Sequence, residues 1–240
     1  MQAMNLIRKG GGLLLGAALM VGCNDRNAQT GPTGTATGPL SADVAAGQTS
    51  SVTDVPGYED NKAQNYQDIL KATITKKGQT FIVVMELGAS VPNTPPLPSR
   101  ADMLDWLVAL DTDENQSPAG YDFPKNGAGP WEFFIEHRVY RSGFTDPLDH
   151  TSSPGILVDR RPLLTGGQAK VIPITFSMDG TQLTWVVDAA SLGDPSTFQW
   201  AAATAAASAG DDVKNGYNNI LLYDQAPNIN QGAPQATWPQ

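Results

Sequence analysis

From about Gly57 to Pro227 the chain is built of short runs in which apolar and polar side chains alternate, each closed off by turn residues. A period of two is the signature of strands with one face buried, and it leaves no stretch with the 3.6-residue stripe of a long amphipathic helix. Ile69–Thr75 alternates. Thr80–Leu87 is nearly all apolar and reads as a central strand buried on both faces. Lys77-Gly78 between them reads as a hairpin break. Met103–Asp111 places Leu104, Trp106, Val108 and Leu110 on one face, and Trp131–Tyr140 alternates along its whole length. Gln168–Ser177 and Gln182–Asp188 read as a hairpin around Asp179-Gly180, a strong turn dipeptide. Phe198–Ala207 and Asn219–Tyr223 close the series.

Ala201–Ala209 works against this pattern, because alanine is the best helix former. It has no amphipathic stripe and follows Phe198-Gln199-Trp200, so it reads as a strand. Ala190–Leu192 before Gly193 reads as a single helical turn. The 24 Gly and 18 Pro favour turns over long helices and exclude a coiled coil. The expectation is an all-β protein, one antiparallel β-sandwich of about eight or nine strands over residues 57–227. Roughly 170 residues suffice for a single core.

The segments before and after this body have a different character. Residues 1–22 carry Arg8 and Lys9, no acid, and then an apolar run from Gly11 to Gly22 that is too short to span a bilayer as a helix. Leu19-Met20-Val21-Gly22-Cys23 resembles a bacterial lipobox. That resemblance implies cleavage before Cys23, lipidation of its thiol and amino group, and anchoring to a lipid bilayer, since several acyl chains hold where one does not. Cys23 is the only cysteine, so no intrachain disulfide forms. Asn24 to Pro56 is rich in Thr, Gly, Ala and Ser, lacks aromatics, and reads as a disordered linker reaching roughly 30 Å at about 5–6 Å × √n. The tail 228–240 reads the same way. These features place the chain in the cell envelope, facing the periplasm or the cell surface. A net charge of −9 excludes nucleic acid as a partner, because phosphate binding needs a basic stripe.

Several short motifs resemble the β-sandwich domains related to family-nine carbohydrate-binding modules and DOMON-like domains. They are Asp68-Ile69-Leu70-Lys71-Ala72 opening a strand, Met85-Glu86-Leu87, Leu110-Asp111-Thr112-Asp113 at a strand end, Ser191-Leu192-Gly193 before Phe198-Gln199-Trp200, and the late Asp224-Gln225-Ala226-Pro227-Asn228. The resemblance covers about residues 57–228. It implies a non-catalytic ligand-binding sandwich, most simply for a polysaccharide. The alternative is a structural or interaction module that docks on an envelope protein. The haem ligands of the DOMON branch are Met and His. Here His137 shares an apolar face with Phe133 and Ile135, and Met85 and Met178 read as core, so haem is not expected.

Two groups of residues can carry binding chemistry. Asp111-Thr112-Asp113-Glu114-Asn115 sets alternate oxygens on a tight loop, as a calcium loop does, and Asp122 falls at the closing position. Asp111, Asp113, Asn115 and Asp122 are the candidate ligands of a structural calcium; the competing reading is a turn capped by its own side chains. The second group is the face of the Trp131–Tyr140 strand bearing Glu132, Phe134, Glu136, Arg138 and Tyr140, an aromatic and charged surface able to seat a sugar. Trp106, Trp131, Trp185 and Trp200 share faces with Leu, Phe and Val and read as core, while Trp238 falls in the tail.

No enzyme is expected. The chain has no Gly-x-Ser-x-Gly elbow, His-Glu-x-x-His or phosphate loop. His150, Ser152 and Ser153 are close only in sequence. Glu132 and Glu136 would lie about 13 Å apart at ~3.3 Å per residue, too far for paired glycosidase carboxylates. Arg160-Arg161 before Pro162 reads as a solvated turn.

Overall fold

The computed structural model describes residues 47–54, 63–99, 101–113, 131–144, 154–162, 167–207, 221–229 and 232–240. Residues 1–46, with the expected leader and Cys23, lie outside them, as do Asn115, Asp122, His150, Ser152 and Ser153.

Twelve strands run through the described residues: β1 (Thr49–Thr53), β2 (Ile69–Lys77), β3 (Thr80–Leu87), β4 (Met103–Asp111), β5 (Phe133–Tyr140), β6 (Ile156–Asp159), β7 (Lys170–Pro173), β8 (Thr175–Asp179), β9 (Gln182–Asp188), β10 (Phe198–Ala207), β11 (Leu221–Ala226) and β12 (Ala236–Trp238). They form two antiparallel sheets. One has the order β1-β2-β3-β9-β8; the other runs β11-β10-β4-β5-β6-β7, with β12 also paired to β10. The fold is the all-β sandwich expected from the alternation.

Local sequence explains the hairpins. Gly78 joins β2 to β3 at φ +60°, and Gly180 joins β8 to β9 at φ +59°, conformations that cost a residue with a Cβ. The short helical turn falls at Ala189–Leu192, with the Asp188 carboxylate accepting from the Ala190 amide at 3.1 Å and Gly193 ending it at φ +83°. The alanine-rich β10 is a strand of ten residues, paired to β4 from Gln199 to Ala207. Tertiary pairing overrides helix propensity here, because the small side chains suit a strand covered on both faces.

The main core lies between the sheets. Trp106, Trp185, Trp200, Phe81, Phe133, Phe198, Ile69, Ile74 and Met85 are almost wholly buried in it. Each large apolar side chain contributes about 1.5–3 kcal/mol on burial. Their polar handles are satisfied: the indole N–H donates to the Tyr66 carbonyl from Trp106 (3.0 Å), to the Glu136 carbonyl from Trp185 (3.1 Å) and to Ser50 Oγ from Trp200 (2.9 Å).

Four expectations are corrected. First, the body does not stop at residues 57 and 227. β1 lies inside the expected linker and β12 inside the expected tail, and Trp238 is core. Ser50 Oγ donates to the Thr237 carbonyl (2.7 Å), and the Gln240 amide to the Thr49 carbonyl (3.3 Å). β1 looks featureless because it is polar and joins through its backbone, and β12 because three residues are too few to show a period.

Second, β3 is buried on one face only, whereas β4 is buried at every position. The outer face of the seven-stranded sheet carries a second buried cluster, which includes Met103, Leu107, Ala109, Phe134, Ala201 and Ala203. Trp131 is buried there, not with Phe133 and Ile135. Third, Gln168–Ser177 is not one strand. The chain passes from β7 in one sheet to β8 in the other at Ile174, whose amide donates to the Gly155 carbonyl (3.0 Å). Fourth, Met178 is exposed and Arg160 is buried, the latter lying 4.5 Å over the Phe134 ring.

Candidate functional site

Pairing of Leu110 with Phe133 brings the end of β4 beside the start of β5, and pairing of Phe133 with Asp159 adds the end of β6. Polar residues gather at this edge. Asp111, Asp113 and Glu132 each offer a carboxylate oxygen, all within 4.8 Å of one another. Glu132 Oε2 accepts from the Thr112 amide at 2.7 Å. Burial pushes the Glu132 carboxyl up to about 7, the charges of Asp111 and Asp113 push the same way, and the Thr112 amide offsets part of the shift. Next to them Arg161 grips Asp159 with two nitrogens, Nε at 2.9 Å and Nη2 at 2.8 Å. Burial alone would raise the Asp159 carboxyl, but the Arg161 bonds hold it below the usual carboxylate range.

Two of the four expected calcium ligands therefore meet, Asp111 and Asp113. The third carboxylate comes from Glu132 on the neighbouring strand. Local spacing could not point to Glu132 as a ligand, because only the β4–β5 register brings it there. Three converging carboxylates can hold one hard cation or share a proton.

A second group of carboxylates joins three distant parts of the chain. Asp54, Asp68 and Asp224 offer oxygens within 4.8 Å of one another. Asp224 accepts from the Ile69 amide (2.5 Å) and the Gln225 amide (2.7 Å), and Asp54 Oδ1 accepts from Asn228 Nδ2 (2.8 Å). Burial pushes Asp224 up to about 7, with Asp54 and Asp68 adding to the shift.

The expected sugar-binding face of β5 is mostly covered. Phe134 and Glu136 have no exposure, and Glu132 and Arg138 have less than a tenth. Arg138 Nη2 lies 2.6 Å from Glu136 Oε2, and its Nε lies 3.7 Å from Asp105 Oδ2. This is a buried ionic cluster, not a ligand surface. The alternation that set these residues on one face is correct. What failed is the inference that the face meets solvent.

Tyr140 is the exception. It is half-buried at the end of β5 and stacks on Phe144, with ring centroids 5.5 Å apart and planes 8° apart. A turn folds Phe144 back, its amide donating to the Arg141 carbonyl at 3.0 Å. Ser142-Gly143 is the sequence signal that could have placed Phe144 beside Tyr140. Arg141 is held alongside by the Ala101 and Pro98 carbonyls and lies 3.9 Å from Asp102. Two parallel, partly exposed rings flanked by hydrogen-bonding groups can stack on an apolar sugar face.

No family model, no curated protein and no solved structure matches this chain. The fold defines it as a two-sheet antiparallel sandwich.

Proposed function

We propose that this chain is a lipid-anchored cell-envelope protein whose non-catalytic β-sandwich binds carbohydrate. The observation that carries the reading is the half-exposed, parallel Tyr140–Phe144 pair beside Arg141 and Asp102. The lipobox-like Leu19–Cys23 supports the anchor. The motif resemblance to family-nine and DOMON-like domains supports the ligand class. The net charge of −9 speaks against nucleic acid and against anionic lipid surfaces as partners for the body.

A second reading, an interaction or spacer module, is favoured by the outer face of the five-stranded sheet. Across its five strands run two uncharged rows, Thr49–Thr75–Ile82–Val186–Thr175 and Ser51–Thr73–Val84–Thr184–Ser177. Charge is depleted in the same way at the centre of protein interfaces.

Affinity electrophoresis of the full chain against a panel of soluble polysaccharides tests the first reading, each run with calcium and with chelator. Retardation that Tyr140→Ala or Phe144→Ala abolishes is the expected result. Sensitivity to chelator would draw Asp111, Asp113 and Glu132 into the site. No retardation by any glycan would reject carbohydrate binding in favour of the interaction module.

A further inference from the structure

The seven-stranded and five-stranded sheets meet on one side through a single continuous stretch, β7 into β8, and His137 sits at that corner. Its ring lies between two others. Phe176 of β8 stacks on it at 4.4 Å between centroids with planes 12° apart, and Trp106 of β4 lies at 5.7 Å and 29°. His137 Nδ1 is 2.6 Å from the Pro154 carbonyl, so this nitrogen carries the proton and donates. Gly155, next in the chain, packs so closely on Phe176 that a Cβ there would overlap the Phe176 Cβ. One imidazole thus joins β5, β4, the segment entering β6, and the edge strand β8.

We propose that His137 is an acid-sensitive latch: the neutral imidazole holds β8 and the 154–159 segment onto β5, and its protonation releases them. Beyond the Pro154 carbonyl, the charged form meets no carboxylate among the described residues. Glu136 and Arg138, its neighbours on β5, pair with each other on the opposite face of the sheet. On β4, Asp105 lies with Arg138 on that same opposite face, and Asp111 stands at the strand end with Glu132. Asp179, the charged residue of β8, is exposed at the hairpin end, and Asp188 of β9 caps the helical turn. Tyr66 packs on Trp106 and stays neutral, its hydroxyl raised by burial and then by Tyr223. Burial accordingly lowers the His137 imidazole from its ordinary value, only partly offset by the Pro154 carbonyl.

The sign follows from linkage. A histidine lowered by folding takes up its proton more readily once its surroundings open. Acid therefore favours the opened state in the window from the ordinary histidine value of about 6.5 down to the folded one. Each unit of difference is a tenfold change in the opening equilibrium.

Amide hydrogen exchange on the full chain, corrected for intrinsic rates, tests this at pH 7.5 and pH 5. Protection across Thr175–Asp179 and Ile156–Asp159 is expected to fall on acidification, while the β2–β3 hairpin changes less. In His137→Phe, which keeps the stacking and cannot titrate, the fall at the corner should vanish. An equal fall in His137→Phe, or none in the parent chain, overturns the proposal. Should that variant not fold, the imidazole resonances of the parent chain decide. Titration of His137 at or above the ordinary histidine value, with β8 still protected, equally overturns it.

Discussion

The indole of Trp238 lies parallel to the ring of Phe198, with centroids 5.1 Å apart and planes at 10°, and it meets Phe81 edge-on at 5.0 Å. The third residue from the end of the sequence thereby joins strands of both sheets. Trp238→Ala should cost about 3–5 kcal/mol, as for a large core aromatic. Trp238→Phe should cost far less, since the buried indole N–H has no hydrogen-bond partner to lose among the described residues. Urea unfolding of both variants checks this, and a loss below about 1 kcal/mol for Trp238→Ala would show that the tail does not complete the core.

Arg138 is buried between Glu136 and Asp105. Removing the cation leaves two acids in a covered site, so Arg138→Met should destabilise by about 3–5 kcal/mol. Adding Glu136→Leu and Asp105→Leu to it should recover most of that loss. Denaturation midpoints of the single and triple variants test the pair of statements; a triple variant no better than the single would contradict the ionic explanation.

Asp224 has a carboxyl raised by burial from 3.8 to about 7. Between those values the folded chain holds a proton that the unfolded chain has released. Its contribution is therefore complete at acid pH and is lost as pH rises through about 7. Asp224→Asn should flatten the stability profile between pH 5 and pH 8. Glu132 is raised in the same direction, so part of the slope should survive in the single variant. Thermal unfolding in chelator, where the proton is the only titrant, gives the comparison. Profiles of equal slope would contradict the assignment to Asp224.

Gly155→Ala should lower stability by about 1–3 kcal/mol, because the added methyl overlaps the Phe176 Cβ and must push β8 from its place. The loss should come with faster exchange at β8 at every pH, unlike the pH-dependent release expected from His137. Exchange at pH 7.5 that matches the parent chain would show that the corner has room to spare.

The strands were legible where side chains alternate. β2, β3, β4, β5, β9 and β10 fall where the runs place them, and the glycine turns at Gly78 and Gly180 close the hairpins read from the sequence. β1 and β12 were not legible. Each is short: β1 is polar and pairs with β2, while β12 is three residues long, too few to show a period, though it brings Ala236 and Trp238 into the core. The candidate sites divide in the same way. Asp111 and Asp113 were visible as a spaced acidic motif, while Glu132 joined them through strand register and Phe144 joined Tyr140 through a turn.

Alternation along the chain determined the all-β class and which side chains share a face, because in a strand that follows from the two-residue period alone. Only the tertiary structure decided which faces are covered. Phe134 and Glu136 lie on the side expected of them, yet in a second buried layer. Burial depends on what packs against a face, and the strand that carries the face holds no record of it.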